Sequence, residues 1–315
     1  METEARDRIG KLVDNIEQVI FGKREAVKLC VTGLLARGHI LIEDIPGIGK
    51  TTLAQSLARS VDCTFNRIQF TSDMLPSDIL GVSVLNPQSN QFEFRPGPIF
   101  AGVVLADEVN RTPPKTQSAL LEAMSEFHVS ADGVTRPLPD PFIVLATQNP
   151  IEYEGTYILP ESQLDRFMLR VEIGYPGAED ELHIMRRRDP RRALEALRPV
   201  LTAEEVIQLQ ETVAEVRVEE SVAQYILGII QGTRNNEFIE LGASPRASVA
   251  MYEACQAHAL VEQREFVTPD DVKAMAGPLL AHRIIVKSRD GNPSAAARAR
   301  SAAVAEVLKQ TPVPE

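Results

Sequence analysis

Apolar residues recur at helical spacing from the N-terminus onward. Ile9, Leu12, Val13, Ile16 and Val19 share one stripe, which predicts an amphipathic helix over residues 1–19. Phe21-Gly22-Lys23 breaks the period, and a second helix is expected from about Glu25 to Arg37, stopped by Gly38. Then the pattern shortens. His39 to Ile42 is an apolar run too short for a helix and suited to a buried strand. A turn with Pro46, Gly47 and Gly49 follows, after which Leu53, Ala54, Leu57 and Ala58 restore helical spacing. Further strands are predicted at Ile68–Phe70, Val103–Ala106, Phe142–Ala146 and Met168–Ile173, with a helix after Pro113-Pro114 running to about Glu126. Two stretches alternate instead. V-S-V-L and Q-F-E-F flank N-P-Q-S-N, and V-S-A and V-T-R flank Asp132-Gly133, so hairpins are expected at about 82–94 and 128–138.

Beyond Tyr175-Pro176-Gly177 no convincing strand remains. Helices are expected to begin at Thr202 and Ser221, each opening a capping box, and at Ser244-Pro245 and Thr268-Pro269. The basic stretch from Arg186 to Arg198 reads as a connector or an exposed helix with solvated charges. Strands alternating with helices imply a parallel sheet covered on both faces. The expected organisation is therefore α/β: a core over 1–178 carrying both hairpins, a connector over 179–200, and a smaller all-helical domain over 201–315. Neither an internal repeat nor a low-complexity tract is present.

Bulk properties narrow the functional classes. The 315 residues carry a formal net charge of −11, so a general grip on nucleic acid is not expected from charge alone. The start, Met-Glu-Thr-Glu-Ala-Arg-Asp, is charged and leads into no apolar core of a signal peptide. The longest wholly apolar run, about Ile99 to Ala106, is far short of a membrane span. Cys30, Cys63 and Cys255 are scattered, odd in number and without metal-ligand spacing, which fits a reducing compartment. Cys255 and His258 lie three apart on an expected helix and read as packing. These features place the chain in the cytoplasm.

The candidate chemistry begins at H-I-L-I-E-D-I-P-G-I-G-K-T-T, His39 to Thr52. Strand, glycine-rich turn, Lys-Thr and helix is the context of a phosphate loop: backbone N–H groups converge on one concavity, and the helix adds the positive end of its dipole. Pro46, Gly47, Ile48, Gly49, Lys50, Thr51 and Thr52 would form the cradle, Lys50 facing the β- and γ-phosphates and the Thr51 hydroxyl holding Mg²⁺. The pattern G-x-x-x-x-G-K-[ST] asks for glycine where Asp44 stands, and a merely glycine-rich connection is the competing reading. Asp107-Glu108 closes the strand V-V-L-A, where two carboxylates are costly unless something uses them. Asp107 would hold a Mg²⁺-bound water and Glu108 would deprotonate the attacking water; a surface turn is the alternative. Asn149 ends the next apolar strand, in register to face the same cavity, or else is an ordinary turn residue before Pro150.

Five stretches occur in order: Asp-Ile-Pro-Gly-Ile-Gly-Lys-Thr, the block from Ala106 to Met124, Ala-Thr-Gln-Asn-Pro, Leu-Pro-Glu-Ser-Gln-Leu-Asp-Arg-Phe and Gly-Ala-Ser-Pro-Arg-Ala. Together, from Phe21 to about Leu280, they closely resemble the MoxR family of AAA+ ATPases, in which an aspartate at the place of Asp44 is familiar. The resemblance implies an AAA+ αβα nucleotide-binding domain followed by a helical lid, with ATP and Mg²⁺ as ligands. Lys50 and Thr51 match Walker A, Asp107 and Glu108 match Walker B, and Asn149 matches sensor 1. Arg166 matches the arginine finger that serves a neighbouring subunit, the other reading being an ion pair with Asp165 or Glu161. Arg246 matches sensor 2, and Pro245 at the first helical position would set it at a helix start. The resemblance further implies a homo-oligomeric, hexameric ring with chaperone-like action on a partner carrying a von Willebrand factor A domain. Two rivals stand beside it: a nucleic-acid motor, disfavoured by the charge and by a second hairpin offering only Arg136, and a nucleotide-gated scaffold with little turnover, disfavoured by Glu108.

Overall fold

The computed structural model describes residues 2–148, 156–157, 159–186, 190–287 and 293–314. The chain opens with α1 (Glu2–Glu17) and α2 (Arg24–Leu35), followed by β1 (Ile40–Glu43), α3 (Lys50–Ser60), β2 (Phe65–Gln69) and α4 (Pro76–Leu80). The hairpin β3 (Gly81–Asn86) and β4 (Gln91–Pro96) leads to β5 (Val103–Asp107) and α5 (Pro114–Glu126). A second hairpin, β6 (His128–Ala131) and β7 (Val134–Pro137), precedes β8 (Ile143–Gln148), α6 (Glu161–Leu164) and β9 (Leu169–Val171).

Five parallel strands form one sheet in the order β2-β5-β8-β1-β9. Each inner strand buries alternate residues on opposite faces, as the pleat requires. Ile40, Ile42, Val103, Leu105, Ile143 and Leu145 enter one core with α1, α2 and α3. Leu41, Val104, Ala106, Val144 and Ala146 enter the other, against Leu120, Leu121 and Met124 of α5 and Ile79 of α4. Both faces are covered, so these strands read as continuous apolar runs. The edge strand β2 buries only Ile68 of its five residues, which is why F-N-R-I-Q carries a weak signal and the strand starts earlier than Ile68.

The helical part comprises α7 (Ala178–Arg186), α8 (Pro190–Ala196), α9 (Ala203–Val213), α10 (Glu220–Asn235), α11 (Pro245–Val261), α12 (Pro269–Leu280) and α13 (Pro293–Gln310). A short antiparallel ribbon, β10 (Ile239–Leu241) with β11 (Ile285–Val286), is added to it. Three residues and two are too few for a visible alternation. The stretch read as a connector holds two short helices, α7 and α8. The Thr202 capping box forms, with Thr202 N–H donating to Glu205 Oε2 at 2.8 Å. The box at Ser221 does not: α10 begins at Glu220, with Glu219 as an extended N-cap. Arg217 explains the shift, because its N–H donates to the Glu265 carbonyl and its own carbonyl accepts from Val267, holding the chain extended until just before the helix.

Candidate functional site

The carboxyl ends of β1, β5 and β8 meet at one edge of the sheet, where the strand order reverses and ligands of such sheets collect. Between β1 and α3 the chain turns through Gly47 (φ 86°) and Gly49 (φ 97°), left-handed conformations that side chains resist. A Cβ at Gly47 would meet nothing within 4 Å, so the loop is open above its own backbone. Beside it lies a cleft of about 320 Å³ lined by Ile20, Lys23, Gly47, Gly49, Thr52 and Ile173, among others. Apolar walls at one end and loop N–H groups with a helix N-terminus at the other fit a nucleotide: a flat base followed by phosphates.

Lys50 opens α3, and its ammonium donates to the Asp44 carbonyl oxygen. Burial lowers its pKa below the ordinary lysine value, while Asp44, Asp107 and Glu108 pull the other way. The ammonium therefore stands in the field of all three carboxylates. Thr51 follows it in the first turn of α3. Thr51 and Asp107 offer oxygen donors of the type a Mg²⁺ ion takes.

Asp107 ends β5 in register with Gln69 of β2. Its Oδ2 accepts the fork of Arg67, with Nη2 at 2.6 Å, and its Oδ1 accepts the Thr147 hydroxyl at 2.6 Å. Thr147 also accepts the Glu108 N–H at 2.9 Å. One buried threonine thus ties the Asp107 side chain to the Glu108 backbone. Glu108 sits at φ 59°, a left-handed conformation costly for a non-glycine residue and often retained at functional sites. Its Oε2 accepts from Gln69 Nε2 at 2.8 Å and Arg111 Nη1 at 3.0 Å.

Asp44, the departure from the loop pattern, has structural work of its own. Oδ1 accepts the Ile45 N–H at 2.9 Å, and Oδ2 accepts the N–H groups of Ile173 (2.8 Å) and Gly174 (2.7 Å). The carboxylate clasps the start of the loop to the chain leaving β9, and Ile173 and Gly174 are themselves walls of the cleft.

Pro46, Gly47, Ile48, Gly49, Lys50, Thr51, Thr52, Asp107 and Glu108 are brought to this edge together. Asn149 lies outside the described residues. Arg166 Nη1 donates to the Leu121 carbonyl at 2.7 Å and to Ser125 Oγ at 2.5 Å, both on α5. Among the described residues, no hydrogen bond or ion pair joins it to Asp165, to Glu161 or to the cleft; Asp165 pairs with Arg283 instead, at 2.8 Å. Arg246 is exposed in the first turn of α11. Its N-cap Ser244 turns its hydroxyl to Asp165 Oδ2 at 3.3 Å. Arg283, whose pKa is lowered first by burial, is lowered further by the charge of Arg246 and raised by Asp165.

Sequence reasoning missed Thr147, Gln69, Arg67 and the carboxylate role of Asp44. A polar Thr closing the apolar run of β8 was a usable signal; the cross-strand partners on β2 were not, because register is a tertiary fact. His258 Nδ1 donates to Asp271 Oδ1 at 2.7 Å and Cys255 is fully buried, so both belong to packing.

Residues 39–169 match a family model described as ATPase family associated with various cellular activities (AAA), and residues 231–307 match an AAA lid domain. A Bacillus subtilis (strain 168) protein, described as uncharacterized protein YeaC, is 50% identical over 278 residues, 88% of this chain and 87% of its own. Chaperone MoxR1 of Mycobacterium tuberculosis is 40% identical over 287 residues, 88% of this chain and 75% of its own. A crystal structure of a candidate ATPase from Cytophaga hutchinsonii, 35% identical, superposes with a TM-score of 0.89 over 100% of this chain and 97% of that one.

Proposed function

This chain belongs to the MoxR family of AAA+ ATPases, and from that premise we propose that it hydrolyses ATP as a subunit of a hexameric ring that remodels or matures a partner protein. The observation that carries the proposal is that the Arg166 guanidinium is bonded to α5 and, among the described residues, to nothing in its own subunit's phosphate loop or carboxylate pair. Lys50, Thr51, Asp107 and Glu108 gather at the carboxyl edge of the sheet, while the Arg166 guanidinium is bound to α5 and Arg246 opens α11 just after Ser244, which reaches Asp165. A ring would bring one subunit's arginines to the next subunit's nucleotide.

In this reading the loop N–H groups and Lys50 hold the phosphates. Thr51 and Asp107 would hold Mg²⁺, which would supply charge neutralisation at the phosphate oxygens. Glu108 takes a proton from water as the water oxygen bonds to the γ-phosphorus, and the bond from that phosphorus to the β–γ bridging oxygen breaks. Thr147 keeps Asp107 and Glu108 in fixed relation. Asn149 holds the water or the γ-phosphate. Arg166, with Arg246, faces the negative charge that develops on the transferred group.

The hairpins are the surfaces we assign to the partner. Val82, Leu85, Phe92 and Val134 are exposed on them, Phe92 by 75%. Arg136, the cation of the second hairpin, lies over the Phe94 ring at 3.7 Å and donates to the Ala131 and Val134 carbonyls. An arginine so engaged supports a protein partner over a nucleic-acid track. The relative named Chaperone MoxR1 supports a chaperone-like role, and the family resemblance points to a partner with a von Willebrand factor A domain. Among the described residues, no helix is long and apolar enough to cross a membrane.

Mixed rings test the proposal. Lys50→Ala should lose ATP binding, and Arg166→Ala should bind ATP yet turn it over about a thousandfold more slowly or worse. A mixture of the two inactive proteins should regain turnover, because a Lys50→Ala subunit lends its Arg166 to an intact neighbouring cleft. Energy transfer between labelled subunits verifies exchange. No recovery in verified mixed assemblies would refute service in trans.

A further inference from the structure

The segment carrying Arg166 is gripped from the far end of the chain. Arg283 follows α12 and leaves 3% of its side chain exposed. Its Nε donates to Asp165 Oδ1 at 2.8 Å, and Nη2 donates to the carbonyl oxygens of Phe167 at 2.7 Å and Asp165 at 3.3 Å. Nη1 donates to the Met168 carbonyl at 2.9 Å and to that of Leu279 in α12. His282, also buried, sets Nε2 at 2.9 Å from the Phe167 carbonyl, and Ser244 reaches the free side of the Asp165 carboxylate. Asp165, Phe167 and Met168 are all held from the helical domain. Arg166 between them is not; its guanidinium goes to α5.

A buried guanidinium is costly unless its donors are met. This one spends its donors on the carboxylate and carbonyls of a four-residue stretch, plus one carbonyl of α12. Only the planar arginine fork spans so many acceptors at once; lysine offers a point charge on a flexible stem. An apolar residue would pack the domains together equally well and fix nothing about the chain direction at residue 166.

We propose that Arg283 is a positioning residue for Arg166: it fixes the backbone on both sides of that arginine, so the helical domain of one subunit sets turnover in the pocket of the next. The inference rests on the reading of Arg166 as the residue serving a neighbouring pocket. Arg283 makes no contact with that pocket itself. Its effect is therefore directional. A subunit with a loosened Arg283 should be a poor donor of Arg166 and a normal acceptor.

The test uses Arg283→Lys in the full chain, which keeps the charge and loses the fork. ATP affinity should stay within about twofold of the parent, while turnover should fall about ten- to a hundredfold, the effect of misplacing a catalytic group by about 1 Å. Mixed with Lys50→Ala, which donates a well-placed Arg166, turnover should recover. Mixed with Arg166→Ala, it should not, because the only Arg166 available is the loosened one. Recovery in both mixtures would show that donation is unimpaired, and recovery in neither would show a general defect; each overturns the inference. If Arg283→Lys does not fold, Asp165→Asn, which removes the charge from the Arg283 partner, enters the same two mixtures with the same readings. Failure of the underlying reading has its own signature: the Lys50→Ala and Arg166→Ala pair would not recover, or Arg166→Ala alone would turn over like the parent. The role of Arg283 would then fall with it.

Discussion

Asp44 stands where a glycine is usual in the loop, and its side chain explains the exchange. Three backbone N–H groups, two of them across the cleft at Ile173 and Gly174, converge on its carboxylate. Hydrogen bonds to an ionised acceptor contribute about 1.5–3 kcal/mol each. Asp44→Gly would restore the common pattern and still weaken the site, because the wall at Ile173 and Gly174 would lose its tether to the loop. ATP affinity measured by calorimetry should drop about tenfold, a loss of about 1.4 kcal/mol, with Asp44→Asn intermediate because it keeps one oxygen acceptor. Equal affinity in Asp44→Gly and the parent would show that the clasp does not shape the nucleotide site. The loop was legible from Gly47, Gly49, Lys50 and Thr51 alone. The clasp was not, since nothing near Asp44 in sequence names residues 173 and 174.

The start of β1 shows an element pinned by one side chain. His39 is 3% exposed between β8 and α5. The Val144 N–H donates to its Nδ1 at 3.0 Å, and Nε2 lies 2.9 Å from the Met124 carbonyl, so the ring is neutral with its proton on Nε2. Burial pushes its pKa down from 6.5 to about 4, against a small opposing pull from the Met124 carbonyl. Protonation would turn Nδ1 into a donor facing another donor. Between pH 6.5 and 4 the unfolded chain binds this proton and the folded chain does not, so stability falls as pH drops through that window and levels off below it. The full shift corresponds to about 3 kcal/mol as an upper value. In urea unfolding, His39→Gln should lose about 2 kcal/mol less than the parent between pH 7 and pH 5. An identical loss in both proteins would remove His39 as a source of acid sensitivity. The apolar run His39–Ile42 marked the strand from sequence, but not that its histidine is a bolt between two neighbours.

One apolar core runs from Ile9 and Ile16 of α1, through Ile42 and Leu145 of the sheet, to Met251 of α11 and Val307 of α13. Polar ties reinforce it. Lys28 of α2 meets Glu262 at 2.6 Å, and Arg8 meets Glu205 of α9 at 2.6 Å. Within the helical part, burial would raise the Asp271 carboxyl, but Arg264, then His258 and Thr268, hold it well below the usual carboxylate range. With the sheet and helices sharing a core, the chain is expected to unfold in one calorimetric transition. Asp271→Asn leaves Arg264 and His258 without their acceptor charge and should destabilise by about 2–4 kcal/mol. It should lower the midpoint of that single transition. Two separate transitions, or a variant that melts only the helical part, would show that the shared core does not couple them.

Local pattern determined the strands β1, β5 and β8, the amphipathic helices, both hairpins and the loop with its Lys50 and Thr51. Each depends on spacing within a dozen residues: period two or 3.6, a proline or glycine stop, a turn pair. Asp107 and Glu108 were visible for a related reason, since a carboxylate pair ending an apolar strand is costly without a use. The five-strand order, and with it the meeting of Gln69, Asp107 and Thr147, came only from tertiary pairing. So did the short ribbon, whose five residues are too few to show a period. The bonding of Arg166 to α5, and the hold of Arg283 on Asp165, Phe167 and Met168, were likewise decided by the folded chain. The Arg283 contacts join residues 115 to 118 apart. A separation of that size leaves no trace in a local pattern, because only packing of one finished element on another brings the groups together.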